Sequence, residues 1–143
     1  MSMAYSSGYT LAHWCLLVVL VLPLVCTYIA KAKGLGRSAA DGGFDNRDPR
    51  AWLARQGGYQ ARANAAQANS LEVLPFFVAA LFVAWQQGAA QAWVNGLALA
   101  FVLLRLAYIA CYLADRASLR SAVWGLGWLV NLGLFFSGCL SAA

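Results

Sequence analysis

Three groups of polar side chains interrupt a predominantly apolar sequence and carry its chemistry. The first is Arg62, Gln67, Asn69 and Glu72 in RANAAQANSLE. At 100° per helical residue, Arg62, Asn69, Glu72 and the following Phe76 fall within about 80° of one another, a polar stripe on a helix. The second is Arg105, Tyr108 and Tyr112, which share a helical face. The third is Arg120 with Ser121 and, one turn later, Trp124. Arginines and tyrosines bind carboxylates, a glutamate binds an ammonium group, and Asn or Gln pairs with amides. Together they match a small, zwitterionic, peptide-like anion.

The elements that must position these groups are membrane helices. The 143 residues are 62% hydrophobic and only 10% charged, with a mean hydropathy of +0.64, too apolar for a domain with a polar surface. A bilayer core of about 30 Å needs about 20 residues per crossing. Four segments reach that length: 10–30, 62–85, 92–114 and 121–140. They use nearly the whole chain, so the expected fold is all-α: a single integral membrane four-helix bundle over 1–143. The stretch Ala30-Lys31-Ala32 resembles a signal-peptide cleavage site, but the basic residues follow the apolar run instead of preceding it, and the first segment reads as a retained helix.

Orientation follows from the basic residues. Lys31, Lys33, Arg37, Arg47, Arg50 and Arg55 follow the first segment, and Arg116 and Arg120 join the third to the fourth. The positive-inside rule places loops 31–61 and 115–120 in the cytoplasm and both termini outside. The net charge of +5 is thereby explained by topology. A nucleic-acid role has little support, because the basic residues are not clustered with interleaved aromatics. Cys15, Cys26, Cys111 and Cys139 have no metal or disulfide spacing and read as buried small hydrophobes. Asp48-Pro49 predicts the start of a short helix over 50–56 ended by Gly57-Gly58. Pro23 and Pro75 predict bends in the first and second helices. Gly125, Gly127, Gly133 and Gly138 predict close packing of the fourth.

A charged side chain near the bilayer centre costs about 2.5–3.5 kcal/mol on insertion scales, so Arg62, Glu72 and Arg105 need partners or water. An ion pair between Glu72 and Arg105, at similar depths on neighbouring helices, satisfies two of them. It leaves Gln67, Asn69, Tyr108, Tyr112 and Arg120 without a task. A cavity open to the cytoplasm and holding the zwitterionic ligand uses them all.

These residues carry a resemblance. Ala66-Gln67-Ala68-Asn69-Ser70-Leu71-Glu72 followed by Pro75-Phe76 resembles the second-helix signature of the MAPEG family, the membrane-associated proteins of eicosanoid and glutathione metabolism. Arg105 with Tyr112, and Leu119-Arg120-Ser121 with an aromatic Trp124, resemble that family's third helix and the start of its fourth. The resemblance implies a homotrimer, of a bacterial inner-membrane type, with glutathione bound as co-substrate between neighbouring subunits and no metal. It implies a transferase or peroxidase that joins glutathione to lipophilic electrophiles or reduces hydroperoxides. Arg120 would stabilise the glutathione thiolate, and Asn69, Glu72, Arg105, Tyr108, Tyr112 and Ser121 would line the ligand site, with Arg62, Gln67 and Trp124 beside them.

The physical case for Arg120 stands beside that resemblance. A thiol with a pKa near 8.5 is only a few per cent ionised at pH 7; lowering it to 7 takes about 1.5 units, or about 2 kcal/mol. One guanidinium in a partly dry pocket supplies that. At two positions the chain departs from the family's glutathione-using members: Ala65 stands where an arginine is common, and Trp124 where the best-known enzymes have a tyrosine. A non-catalytic lipid-binding or scaffold role stays open on that account.

Overall fold

Thr10 opens the first helix, with its backbone N–H donating to His13 Nδ1 at 3.1 Å and its hydroxyl 2.8 Å from the same nitrogen. In the computed structural model, which describes residues 8–141, the chain is all-helical. Its helices are α1 (Leu11–Lys31), α2 (Pro49–Ala54), α3 (Gly58–Gln86), α4 (Gln91–Leu113), α5 (Ala117–Phe135) and α6 (Ser137–Ser141). Two short 3-10 turns, Ala32–Gly34 and Ala39–Asp41, lie between α1 and α2.

Among the described residues, three stretches, Leu11–Gly34, Gly58–Gln86 and Gln91–Leu113, are long and apolar enough to cross a membrane. The sequence pointed to four. α5 falls short because Arg120, Ser121, Asn131 and three glycines dilute its 19 residues, and because the helix stops at Phe135 before the brief α6 resumes. α3 starts at Gly58, four residues ahead of the expected 62, since Gln60 turns inward there and donates to the Ala30 carbonyl at 2.9 Å.

Both prolines sit inside unbroken helices. Four residues after Pro23, Thr27 Oγ1 donates to the proline carbonyl at 2.9 Å, a bond from a threonine hydroxyl back to the preceding helical turn.

α1 packs on α3 and α4, and α5 lies along α4 and touches α3. The apolar interior runs through Val19, Phe77, Leu81, Val94, Phe101 and Leu134. Phe77 and Phe101 stack there with ring centroids 4.4 Å apart. Of the glycines expected to pack closely, Gly127 and Gly133 face Phe101 and Leu97 with space for a methyl group, and Gly125 faces open space. Only Gly138 is tight: a Cβ there would strike Gln87 at the end of α3. Cys15, Cys26 and Cys111 are buried as expected. Cys139 is exposed, because it lies beyond the end of α5 on α6.

The segment between α1 and α2, polar and turn-prone in sequence, folds around Trp52, which is buried. Phe44 meets the indole edge-on at 5.3 Å, and Phe44 N–H donates to the Gly34 carbonyl at 2.9 Å. Lys31 and Lys33 place their ammonium groups 4.3 and 5.1 Å from the ring centres of Phe44 and Tyr59. Asp48 caps α2 through Ala51 N–H at 3.2 Å. This loop closes only because Gly43 has no side chain, since a Cβ would collide with the Arg37 carbonyl. Gly43→Ala is expected to cost about 1–3 kcal/mol of local stability. Limited proteolysis should show cleavage between α1 and α2 about tenfold faster or more, with α3 to α5 left intact; an unchanged digestion rate would show that the loop relaxes around a methyl group.

Candidate functional site

The site is built on α4, which presents Arg105, Tyr108 and Tyr112 along one face toward α3 and α5. Arg105 is 3% exposed. Its Nη2 donates to Ser70 Oγ on α3 at 3.1 Å, and Ser70 Oγ in turn donates to the Ala66 carbonyl at 2.8 Å. The guanidinium carbon lies 4.3 Å from the Tyr108 ring centre. Tyr108 and Tyr112 meet edge to face at 5.6 Å. The Arg120 guanidinium then covers Tyr112, again at 4.3 Å. Cation, ring, ring and cation thus form one ladder from the bundle interior to the start of α5, each step within the range where a cation and a ring, or two rings, attract.

Sequence spacing brought the three α4 residues to one face, and the structure adds Arg120 to their row. Tyr108 is buried, and Tyr112 and Arg120 are half-buried. Tyr108 is also within electrostatic reach of Glu72. Glu72 is exposed on α3 and accepts from Asn69 Nδ2 at 3.2 Å. Asn69 Oδ1 is buried without a partner. Gln67 is half-buried on the same helix.

The ion pair between Glu72 and Arg105 is not formed. Arg105 takes a hydroxyl partner because it points inward at Ser70, whereas Glu72 points outward. Among the described residues the one ion pair within 4.0 Å is Arg62 with Asp115, at 3.9 Å and largely solvent-exposed on the aspartate side, a geometry that contributes little stability. Arg62 Nε also donates to the Leu113 carbonyl at 3.2 Å, so this side chain closes the carboxyl end of α4. Ser121 is exposed and donates to the Ala117 carbonyl at 3.2 Å, within its own helix. Trp124 lies edge-on to Trp128 at 5.9 Å and shares a small interior cavity with Arg105.

Arg120 differs from Arg62 and Arg105 in what surrounds it. Among the described residues no carboxylate comes within 4.0 Å of it. Held against Tyr112, it presents an unneutralised guanidinium to whatever anion approaches the beginning of α5. Ser70, Trp128 and Asn131 were not picked out as site residues from sequence. Ser70 carried a usable signal, being next to Asn69 and one turn after Ala66, where a serine hydroxyl on a helix is free to reach a neighbour. Among the described residues no three or more His, Cys, Asp or Glu side chains gather closely enough to hold a metal ion.

No curated protein and no solved structure matches the chain. The family profile of MAPEG matches residues 11–140. With three helices suited to crossing a bilayer, the chain is an integral membrane protein. Because the match begins at the first residue of α1 and reaches into α6, the chain belongs to the MAPEG family.

Proposed function

We propose that this chain is a membrane-bound, glutathione-dependent transferase or peroxidase acting on lipophilic electrophiles or hydroperoxides. The observation that carries this reading is Arg120, a half-buried guanidinium without a carboxylate partner among the described residues, held over Tyr112 at the end of the ladder. Such a group favours the thiolate over the thiol of a bound glutathione. The thiolate sulfur then attacks an electrophilic carbon, forming the S–C bond as the leaving group departs. With a hydroperoxide it attacks the terminal oxygen, the O–O bond breaks to release the alcohol and leave a glutathione sulfenic acid, and the thiol of a second glutathione displaces water from it to form the disulfide.

In this reading Asn69, Glu72, Tyr108, Tyr112 and Ser121 line the glutathione site with Gln67 and Trp124 nearby, and Glu72 takes the ligand's ammonium group. Arg105 and Arg62 act mainly through the residues they hold. Glu72, with Leu71 and Phe76 exposed beside it, faces away from its own bundle, so the pocket is completed by a neighbouring copy in a homotrimer. α5 and α6 form the fourth crossing of a single four-helix domain. The protein lies in a bacterial inner membrane with both termini outside and loops 31–61 and 115–120 cytoplasmic, where glutathione is available.

Thiolate difference absorbance on adding glutathione to the purified protein at neutral pH tests binding and activation together. A rise saturating with glutathione is expected, and Glu72→Ala should weaken binding about 10- to 100-fold, as loss of a charge-assisted bond does. Absence of both thiolate signal and binding heat rejects the proposal. The second reading, a non-catalytic lipid-binding or scaffold member, is favoured by Ala65 and Trp124. It gains if glutathione binds but no member of an electrophile and hydroperoxide panel is turned over.

A further inference from the structure

Arg105 spends Nη2 on Ser70 and its flat face on Tyr108, which leaves Nε buried without a partner. Of the three other buried atoms without a partner among the described residues, two, Trp128 Nε1 and Asn131 Oδ1, belong to residues near it. Arg105, Trp128 and Asn131 line one cavity between α3, α4 and α5, bounded also by apolar groups such as Val73 and Phe101, with about 10 Å³ of room for the centre of a water molecule. Arg105 and Asn131 are 3% and 5% exposed. The orphaned atoms are therefore walled in by the fold.

The unpartnered atoms that these lining residues bring to the cavity wall are two N–H donors and one carbonyl acceptor. A water molecule accepts twice and donates to the third, the usual three bonds of a buried water. An anion would meet the lone pairs of the Asn131 oxygen, and an apolar group would leave all three atoms unpaired. Charge points the same way, because Arg105 lies within a membrane-spanning helix, where a guanidinium needs a partner or water, and Glu72 is not that partner. We propose that this cavity is an internal water site, which hydrates Arg105 inside the bundle and ties α4 to α5 through Trp128 and Asn131. The inference rests on the cavity alone and is independent of any reaction at Arg120.

The test is a structure of the full chain in lipid at a resolution that shows ordered water. A peak is expected about 2.7–3.2 Å from at least two of Arg105 Nε, Trp128 Nε1 and Asn131 Oδ1. An empty cavity overturns the proposal, and so does a peak that gains anomalous signal after soaking in bromide. Stability supplies a second readout with opposite signs. Asn131→Leu replaces the acceptor with an apolar group of similar size; with water bound, the unfolding midpoint should fall by about 3 °C. In a dry cavity the same change removes an orphaned acceptor, and the midpoint should hold or rise. Should Asn131→Leu fail to fold, the density decides the matter.

Discussion

Arg120→Met is expected to lower glutathione-dependent turnover at pH 7 by about 30-fold or more, with the unfolding midpoint shifted by no more than a few degrees. The size follows from the thiol. If Arg120 brings its pKa from about 8.5 to about 7, that is about 1.5 units, or about 2 kcal/mol, and removing the guanidinium returns the thiol to its unaided value. The near-neutral effect on stability follows from the contacts, since the described structure shows Arg120 on the Tyr112 ring and in no ion pair. The sign of the pH dependence is also set. The wild-type rate should level off above pH 7, whereas the variant rate should keep rising through about pH 8.5 as the thiol ionises unaided, so the gap closes in alkali. Arg120→Lys keeps the charge but loses the planar face on Tyr112, and should recover only part of the rate. Full turnover in Arg120→Met, or a gap that does not narrow with rising pH, would remove Arg120 from the reactive step.

The membrane character and helical class were legible because uninterrupted apolar runs leave few alternatives at that length. The start of α3 was not, because Gly57-Gly58-Tyr59-Gln60 reads as a connection until Gln60 is seen bonded to Ala30, thirty residues earlier. Nothing local in Phe135-Phe136-Ser137 signals the end of α5. In the candidate site, periodicity placed Arg105, Tyr108 and Tyr112 on one face, and they lie in one row. Periodicity does not say how α3 and α4 are rotated about their own axes. The ion-pair expectation therefore chose Glu72 for Arg105, by charge, where the packing chose Ser70. Arg62 shows the same limit. It shares a stripe with Asn69 and Glu72 in projection, yet its length carries the guanidinium to the end of α4 and to Asp115.

Arg105 separates volume from charge, and two substitutions at this position should part company. Arg105→Ala removes most of a side chain that is 3% exposed and packed among three helices, so a loss of about 2–5 kcal/mol is expected from the space left behind. Arg105→Met fills most of that space without the charge. The exchange avoids the empty space but leaves Ser70 and the cavity's other polar atoms one partner short, so the unfolding midpoint in detergent should lie a few degrees below that of the unaltered protein and well above that of Arg105→Ala. Turnover should nevertheless fall. Tyr108 would lose the cation over its ring, and the row through Tyr112 to Arg120 would lose its inner anchor. A cation–ring contact in such surroundings contributes about 0.5–2 kcal/mol, which bounds the expected drop at about 2- to 30-fold. In the proposed reading, where Arg105 acts through Tyr108 and not on the ligand, that drop should appear in kcat more than in KM. A Met variant as unstable as the Ala variant would show that the charge holds the bundle together, and a stable Met variant with full turnover would make Arg105 a packing residue alone.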